Sequence, residues 1–95
     1  MQMRQFGIES EKARREAEQI RTAIVDLDCT VQLLDCEIAA EELRARVFKP
    51  TDVAYPILAK SLAARRDNLH GTIAALEKQL AAIHAALSGA TATAA

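Results

Sequence analysis

The sequence predicts an all-α fold, a two-helix antiparallel coiled-coil hairpin. Two runs of mainly hydrophobic residues repeat at alternating spacings of 4 and 3, which average the 3.5-residue period of a coiled-coil seam. Each position of the first run mirrors one of the second about residue 50, so the chain is expected to fold back at its middle. These sixteen seam positions are Ala13, Ala17, Ile20, Ile24, Leu27, Val31, Leu34 and Ile38, and Leu62, Arg66, Leu69, Ile73, Leu76, Leu80, Ile83 and Leu87.

The first helix is expected to run from about Ser10 to Val47, with an extension back towards Met3 left open. Ser10 is a suitable N-cap, because its hydroxyl can accept a hydrogen bond from a free amide of the first turn. Pro50 disfavours the helical conformation at the residue before it. The turn is therefore placed at residues 48–52.

The second helix is expected over residues 53–88, with Thr51 or Asp52 as its cap. Gly89 is a typical helix stop, since glycine adopts the left-handed conformation that ends many helices. Residues 90–95 alternate alanine and threonine and offer little to bury, so they are predicted to be a disordered tail.

Length and composition restrict the class of protein. Ninety-five residues permit one small domain, the hairpin of residues 1–89. Twelve basic and thirteen acidic residues give a net charge of −1, which argues against nucleic-acid binding and against an anionic membrane surface. The absence of a membrane-length apolar run and the polar N-terminus predict a cytoplasmic protein without membrane insertion.

The sequence predicts no enzyme, no cofactor and no metal site. It contains no glycine-rich phosphate loop, no nucleophile motif and no cluster of acid–base residues. Cys29 and Cys36 lie seven residues apart on one helix, roughly 10 Å along its axis, which is too far for a disulfide. Their spacing, with no histidine nearby, matches no zinc motif.

A second stripe on the first helix is expected to face outwards: Val25, Cys29, Leu33, Cys36 and Ala40. A hairpin buries only one stripe per helix, so the second stripe predicts a docking face for a partner or for a second copy. Two copies would form a four-helix bundle. The alternative is a scatter of exposed small residues, since only Val25 and Leu33 are sizeable.

Two polar features interrupt the hydrophobic pattern. Arg66 stands opposite Leu34 in the seam, where it either contacts a partner or packs its stem and turns its head towards Asp35. Near the turn Glu41 takes a seam position and four apolar residues lie off the seam, which predicts that the helices splay or rotate there: Leu43, Val47, Ile57 and Leu58. The residues expected to close the turn end of the hairpin are Phe48 and Tyr55.

Two stretches of the chain resemble the FliJ-type flagellar export proteins of alphaproteobacteria, as a short or divergent member. The first runs from Gln19 to Glu42 and includes the stretch Glu-Ile-Ala-Ala-Glu-Glu. The more specific part lies beyond the turn, where a Tyr-Pro pair and an Arg-Arg-Asp-Asn run follow at the family's separation. The matching positions there are Tyr55, Pro56, Arg65, Arg66, Asp67 and Asn68.

The resemblance implies a non-enzymatic component of the flagellar type III protein export apparatus. Members of that family form a coiled coil that docks on the export ATPase and contacts the export gate, which would place this protein at the flagellar base. With the second stripe, the resemblance makes nine residues candidates for partner binding: Val25, Cys29, Leu33, Tyr55, Pro56, Arg65, Arg66, Asp67 and Asn68. The alternative function is a self-associating structural adaptor that forms a homodimeric four-helix bundle.

Overall fold

The computed structural model describes the backbone of residues 2–94 and the side chains of residues 9–89. Helix α1 spans Gln2–Ala45 and helix α2 spans Ile57–Ala94. No strand is present in the described part of the chain. The predicted all-α helical hairpin is therefore confirmed.

The hairpin forms two compact units, each built from a stretch of both helices. Among the described residues the terminal unit comprises 2–25 and 74–94, and the turn unit comprises Asp26–Ile73. The terminal unit combines the first part of α1 with the last part of α2, and the turn unit combines the last part of α1 with the first part of α2, as an antiparallel pair requires. The division falls between two mirror pairs of the seam, 24 with 76 and 27 with 73, so each unit contains four complete pairs.

The seam is the face that the fold buries. All sixteen predicted positions are buried or half-buried. In the terminal unit Ala17 and Ile20 are the most enclosed, and in the turn unit Val31, Leu34 and Ile38 are each less than 8% exposed. A buried aliphatic side chain contributes about 1.5–3 kcal/mol, so this narrow contact stabilises the hairpin. The pattern is consistent with a coiled coil.

The helix bounds differ from the expected ones at both ends of α2. This helix begins at Ile57 instead of residue 53, which leaves Thr51 and Asp52 outside it. It also continues through Gly89 to Ala94, so Gly89 does not end it, and disorder of residues 90–95 stays a prediction. Alanine has the highest helix propensity of any residue, and the Ala-rich sequence on both sides offsets the roughly 1 kcal/mol cost of one glycine.

Helix α1 ends at Ala45, two residues before the expected Val47. The connection therefore covers residues 46–56 and not residues 48–52 alone. Arg46 has a φ of 57°, in the left-handed region, and the Val47 N–H donates to the Glu42 carbonyl at 3.3 Å. This is the Schellman arrangement, in which a left-handed residue ends the helix. Pro50 was the expected breaker of this helix, but the helix ends five residues before it.

Substitution of Arg46 tests this helix end. A non-glycine residue in the left-handed region costs about 1–2 kcal/mol, of which glycine would recover about 1 kcal/mol after its larger chain entropy. Arg46→Gly should therefore raise the free energy of unfolding by about 1 kcal/mol, measured by urea denaturation. Arg46→Ala removes the same side chain without relieving φ and should produce no comparable gain. Equal gains from both variants would refute the left-handed conformation of Arg46 at the end of α1.

Candidate protein-binding surfaces

The connection is built from two consecutive turns. The Asp52 N–H donates to the Lys49 carbonyl at 3.0 Å, and the Tyr55 N–H donates to the Asp52 carbonyl at 3.1 Å. Pro50 occupies the second position of the first turn, where its fixed φ is favoured. The Asp52 carboxylate also accepts the Ala54 N–H at 2.9 Å, the local bond that makes aspartate a turn residue.

Tyr55 fixes the connection against the helices. Its side chain is only 5% exposed and forms a core cluster with Ile38 and Ala59. Its hydroxyl donates a 2.8 Å hydrogen bond to Glu42 Oε2. This burial agrees with the expectation that Tyr55 closes the turn end of the hairpin. Phe48, which was expected to close it too, is 58% exposed and does not pack there.

The seam spacing continues into this region through residues other than Leu, Ile and Val. Beyond Ile38, Glu41 and Ala45 are half-buried at further steps of 3 and 4. On the other side Ala59 is fully buried and Tyr55 almost so, again at steps of 3 and 4. Glu41 is accommodated because its carboxylate pairs with Arg44 at 2.7 Å, and this hydrogen bond lowers the pKa of Glu41. The seam spacing thus continues to the turn, and a splaying or rotation of the helices there stays a prediction.

The Tyr55 phenol should link stability to alkaline pH. Burial is the largest cause that raises the pKa of Tyr55 above 10.0. The hydrogen bond to Glu42 and the negative charge of Glu42 raise it further, while the positive charge of Arg66 lowers it. The folded state therefore holds this proton more tightly than the unfolded state. The resulting stabilisation is complete below pH of about 10 and is lost as pH rises through the folded pKa.

Because Tyr55 is the only tyrosine and the chain has no tryptophan, absorbance of the phenolate reports this group alone. We expect its titration midpoint to lie above that of the urea-unfolded chain. Tyr55→Phe should flatten the fall in melting temperature above pH of about 10. A native midpoint at or below the unfolded one would contradict the burial of the phenol.

Arg66 is engaged within the turn unit. Its guanidinium donates to Asp35 at 3.0 Å and to Asp67 at 3.4 Å, and its side chain is 29% exposed. The hydrogen bond to Asp35 raises the pKa of Arg66. The interpretation in which the stem packs in the seam and the head turns to Asp35 is confirmed. A role in partner binding stays a prediction.

The structure brings together only some of the nine candidate residues. Tyr55, Arg66 and Asp67 line one groove of about 450 Å³ in the turn unit, which also contains the acidic Asp35 and Glu42. Pro56 is half-buried, and its carbonyl accepts the first hydrogen bond of α2, from the Lys60 N–H. The remaining candidates are exposed and do not line this groove: Val25, Cys29, Leu33, Arg65 and Asn68.

Seven large hydrophobic side chains are exposed in the described part of the chain, and four of them surround the connection. We call this group the apolar tip: Phe48 at 58%, Val53 at 101%, Ile57 at 85% and Leu58 at 53%. Ile57 and Leu58 lie off the seam on α2, whereas Val53 lies in the connection, where the seam pattern does not apply. The other three exposed side chains lie on α1 and are Val25, Leu33 and Leu43.

Basic side chains accompany the apolar tip. Arg46, Lys49 and Lys60 are exposed, and none of them forms an ion pair with a described residue. The acidic Asp52 is bonded within its own turn. The tip therefore combines apolar area with unpaired positive charge.

The described residues contain no group of acidic, histidine or cysteine side chains that could hold a metal ion. Within that same part, neither helix combines the length and the apolar character needed to cross a membrane. Comparison with protein-family models, with curated proteins and with solved structures gave no match. The surfaces described above are therefore the basis for a functional proposal.

Proposed function

We propose that this protein is a non-enzymatic coiled-coil component of the flagellar type III protein export apparatus. It would act in the cytoplasm at the flagellar base by docking on the export ATPase or the export gate. The Tyr-Pro and Arg-Arg-Asp-Asn resemblance supports the choice of apparatus. The exposed apolar tip supports the mode of action, which is binding to another protein.

The exposure of the apolar tip is the observation that carries the docking role. Val53 and Ile57 are the most exposed of the large hydrophobic residues in the described part of the chain. Exposed groups of large apolar side chains in water typically mark interaction sites. Tyr55 and Asp52 hold this segment in a defined conformation, which reduces the entropy lost on binding.

Binding to purified export components tests the proposal. The full chain would be titrated against the export ATPase and against the cytoplasmic domain of the export gate from a flagellated alphaproteobacterium. We expect binding to at least one of them. Replacing Phe48, Val53 and Ile57 with serine should weaken it about tenfold or more, because the apolar contacts at the centre of an interface carry most of its affinity.

Leu33→Ser is the matched control, since it removes a large exposed aliphatic side chain outside the tip. It should leave this binding unchanged. Circular dichroism would verify that both variants keep their helices. Failure of the native chain to bind either component would refute the flagellar assignment. Binding that survives the triple substitution would refute the role of the tip.

A self-associating structural adaptor is the second candidate. Its supporting observation is the exposure of Val25 at 59% and of Leu33 at 64% on α1, as expected of a face that forms a homodimeric four-helix bundle. Sedimentation over a range of protein concentrations tests it. If the second stripe serves only self-association, Leu33→Glu should be monomeric and should bind the export components unchanged.

A further inference from the structure

Helix α1 carries a second heptad-like face in the turn unit, apart from the seam. Exposed side chains follow one another there at spacings of 4, 3, 4 and 3, and we call them the turn-unit stripe: Cys29, Leu33, Cys36, Ala40 and Leu43. Leu33 is 64% and Leu43 is 68% exposed. A 3.5-residue period is the spacing at which one helix packs along another, so the stripe has the form of a helix-binding face.

The flanks of this stripe are acidic. Residues 22–43 contain six carboxylates and no lysine or arginine. Three of the six are engaged within the chain, because Asp35 pairs with Arg66, Glu41 with Arg44, and Glu42 with Tyr55.

The other three carboxylates are available to a ligand. The side chains of Asp26, Asp28 and Glu37 are exposed and form no ion pair or hydrogen bond with a described residue. At about 100° per residue, Asp26 and Glu37 lie on one side of the stripe and Asp28 lies on the other. Unpaired negative charge therefore borders the apolar residues on both sides.

We propose that the turn-unit stripe binds an amphipathic α-helix of another protein. Its apolar side chains would repeat every 3.5 residues and pack against Leu33 and Leu43. Lysine or arginine side chains on its two flanks would face Asp26, Asp28 and Glu37. Such flanking pairs contribute little energy individually but determine which partner and which orientation is accepted. The stripe shares no residue with the apolar tip, so either surface can function without the other.

A second copy of this chain fits the stripe less well. Packing α1 against α1 would place acidic flank against acidic flank, which disfavours the pairing. Packing it against α2 would offer little to bury, since beyond Leu58 no large apolar side chain of α2 is exposed within the described residues. An anionic lipid surface would be repelled by the same carboxylates.

The two native thiols allow a direct test, because Cys29 and Cys36 lie in the stripe and are exposed. The probe is a four-heptad peptide with leucine along its seam and lysine at the flanking positions, which repels itself and stays monomeric. A matched peptide carries glutamate in place of lysine. Maleimide alkylation of each cysteine in the full chain is followed at low salt, with Cys29→Ser and Cys36→Ser separating the two rates.

We expect the lysine peptide to slow alkylation of both thiols about tenfold or more at concentrations where the glutamate peptide has no effect. Leu33→Glu should abolish this protection. Asp28→Lys combined with Glu37→Lys should transfer the protection to the glutamate peptide. Ile57→Glu, which places the same charge in the exposed apolar tip, should leave the protection unchanged.

Three results would overturn the proposal. Equal protection by both peptides would show that charge does not select the ligand. An absence of protection would show that the stripe is not a helix-binding face. Protection that grows with protein concentration in the absence of peptide would identify a second copy as the occupant. None of these results bears on binding by the apolar tip, which the export components test separately.

Discussion

Ile38→Ala should lower the free energy of unfolding by about 2–5 kcal/mol, a large loss for a single truncation. Ile38 is 6% exposed and forms the core cluster with Tyr55 and Ala59. Removing its branched side chain both loses apolar burial and leaves a cavity next to rigid neighbours. Because a two-helix domain of this size has little stability in reserve, we expect a substantial unfolded population at room temperature.

Urea denaturation followed by circular dichroism measures this effect. The matched control is Leu33→Ala, which truncates an aliphatic side chain on the same helix that is 64% exposed. It should change stability by less than about 0.5 kcal/mol. Similar losses in the two variants would show that the seam is not the buried face of α1.

Ala59→Leu should destabilise the hairpin by about 1–3 kcal/mol, although it adds apolar surface. Ala59 has no exposed area and packs beside Tyr55 and Ile38 at the turn end of the seam. The added carbons have no space, so the neighbouring side chains must leave their preferred rotamers. The melting temperature is the simplest measure of the loss.

Ala64→Leu provides the comparison for this overpacking. Ala64 lies on the same helix but is exposed, so the larger side chain meets solvent. Its effect should stay within about 0.5 kcal/mol of zero. If Ala59→Leu were instead neutral or stabilising, the helices would have to be further apart at this point than the structure shows.

Most of the fold could be predicted from the sequence because the seam is encoded by a strict repeat. Leu, Ile and Val residues at spacings of 4 and 3 define the buried face of each helix, and the mirror relation about residue 50 defines the pairing. Even Arg66, the polar exception, is half-buried and reaches Asp35 as its position suggests. A repeat of this kind has one favourable burial geometry, which is why pattern and structure agree.

The turn could not be predicted to the same accuracy, since its geometry depends on backbone conformation and on small or polar residues. Nothing in the sequence indicates that Arg46 adopts the left-handed conformation, which is more typical of glycine or asparagine. Ala59 and Glu41 continue the seam without the large side chains that would reveal it. The apolar tip belongs to this same region, where Val53 and Ile57 are exposed on either side of the buried Tyr55 in the sequence.

The candidate surfaces were predictable in part. The exposed second stripe follows from the surplus of apolar residues on α1, and its members Val25, Cys29 and Leu33 are exposed in the structure. Net charge, however, does not indicate its acidic flanks. Residues 22–43 contain only acidic charges, whereas α2 within the turn unit carries Lys60, Arg65 and Arg66. A charge of −1 for the whole chain conceals this separation.

Crosslinking within the seam tests the central structural claim, that the chain pairs with itself in the mirror register. Cysteines would replace Val31 and Leu69, a mirror pair of the turn unit, after Cys29 and Cys36 are changed to serine. A short bismaleimide should link this pair within one chain and give a faster-migrating monomer on a denaturing gel. Val31→Cys with Leu62→Cys, displaced by seven residues or roughly 10 Å, should not link. Equal linking of both pairs, or links formed only between chains, would contradict the hairpin register.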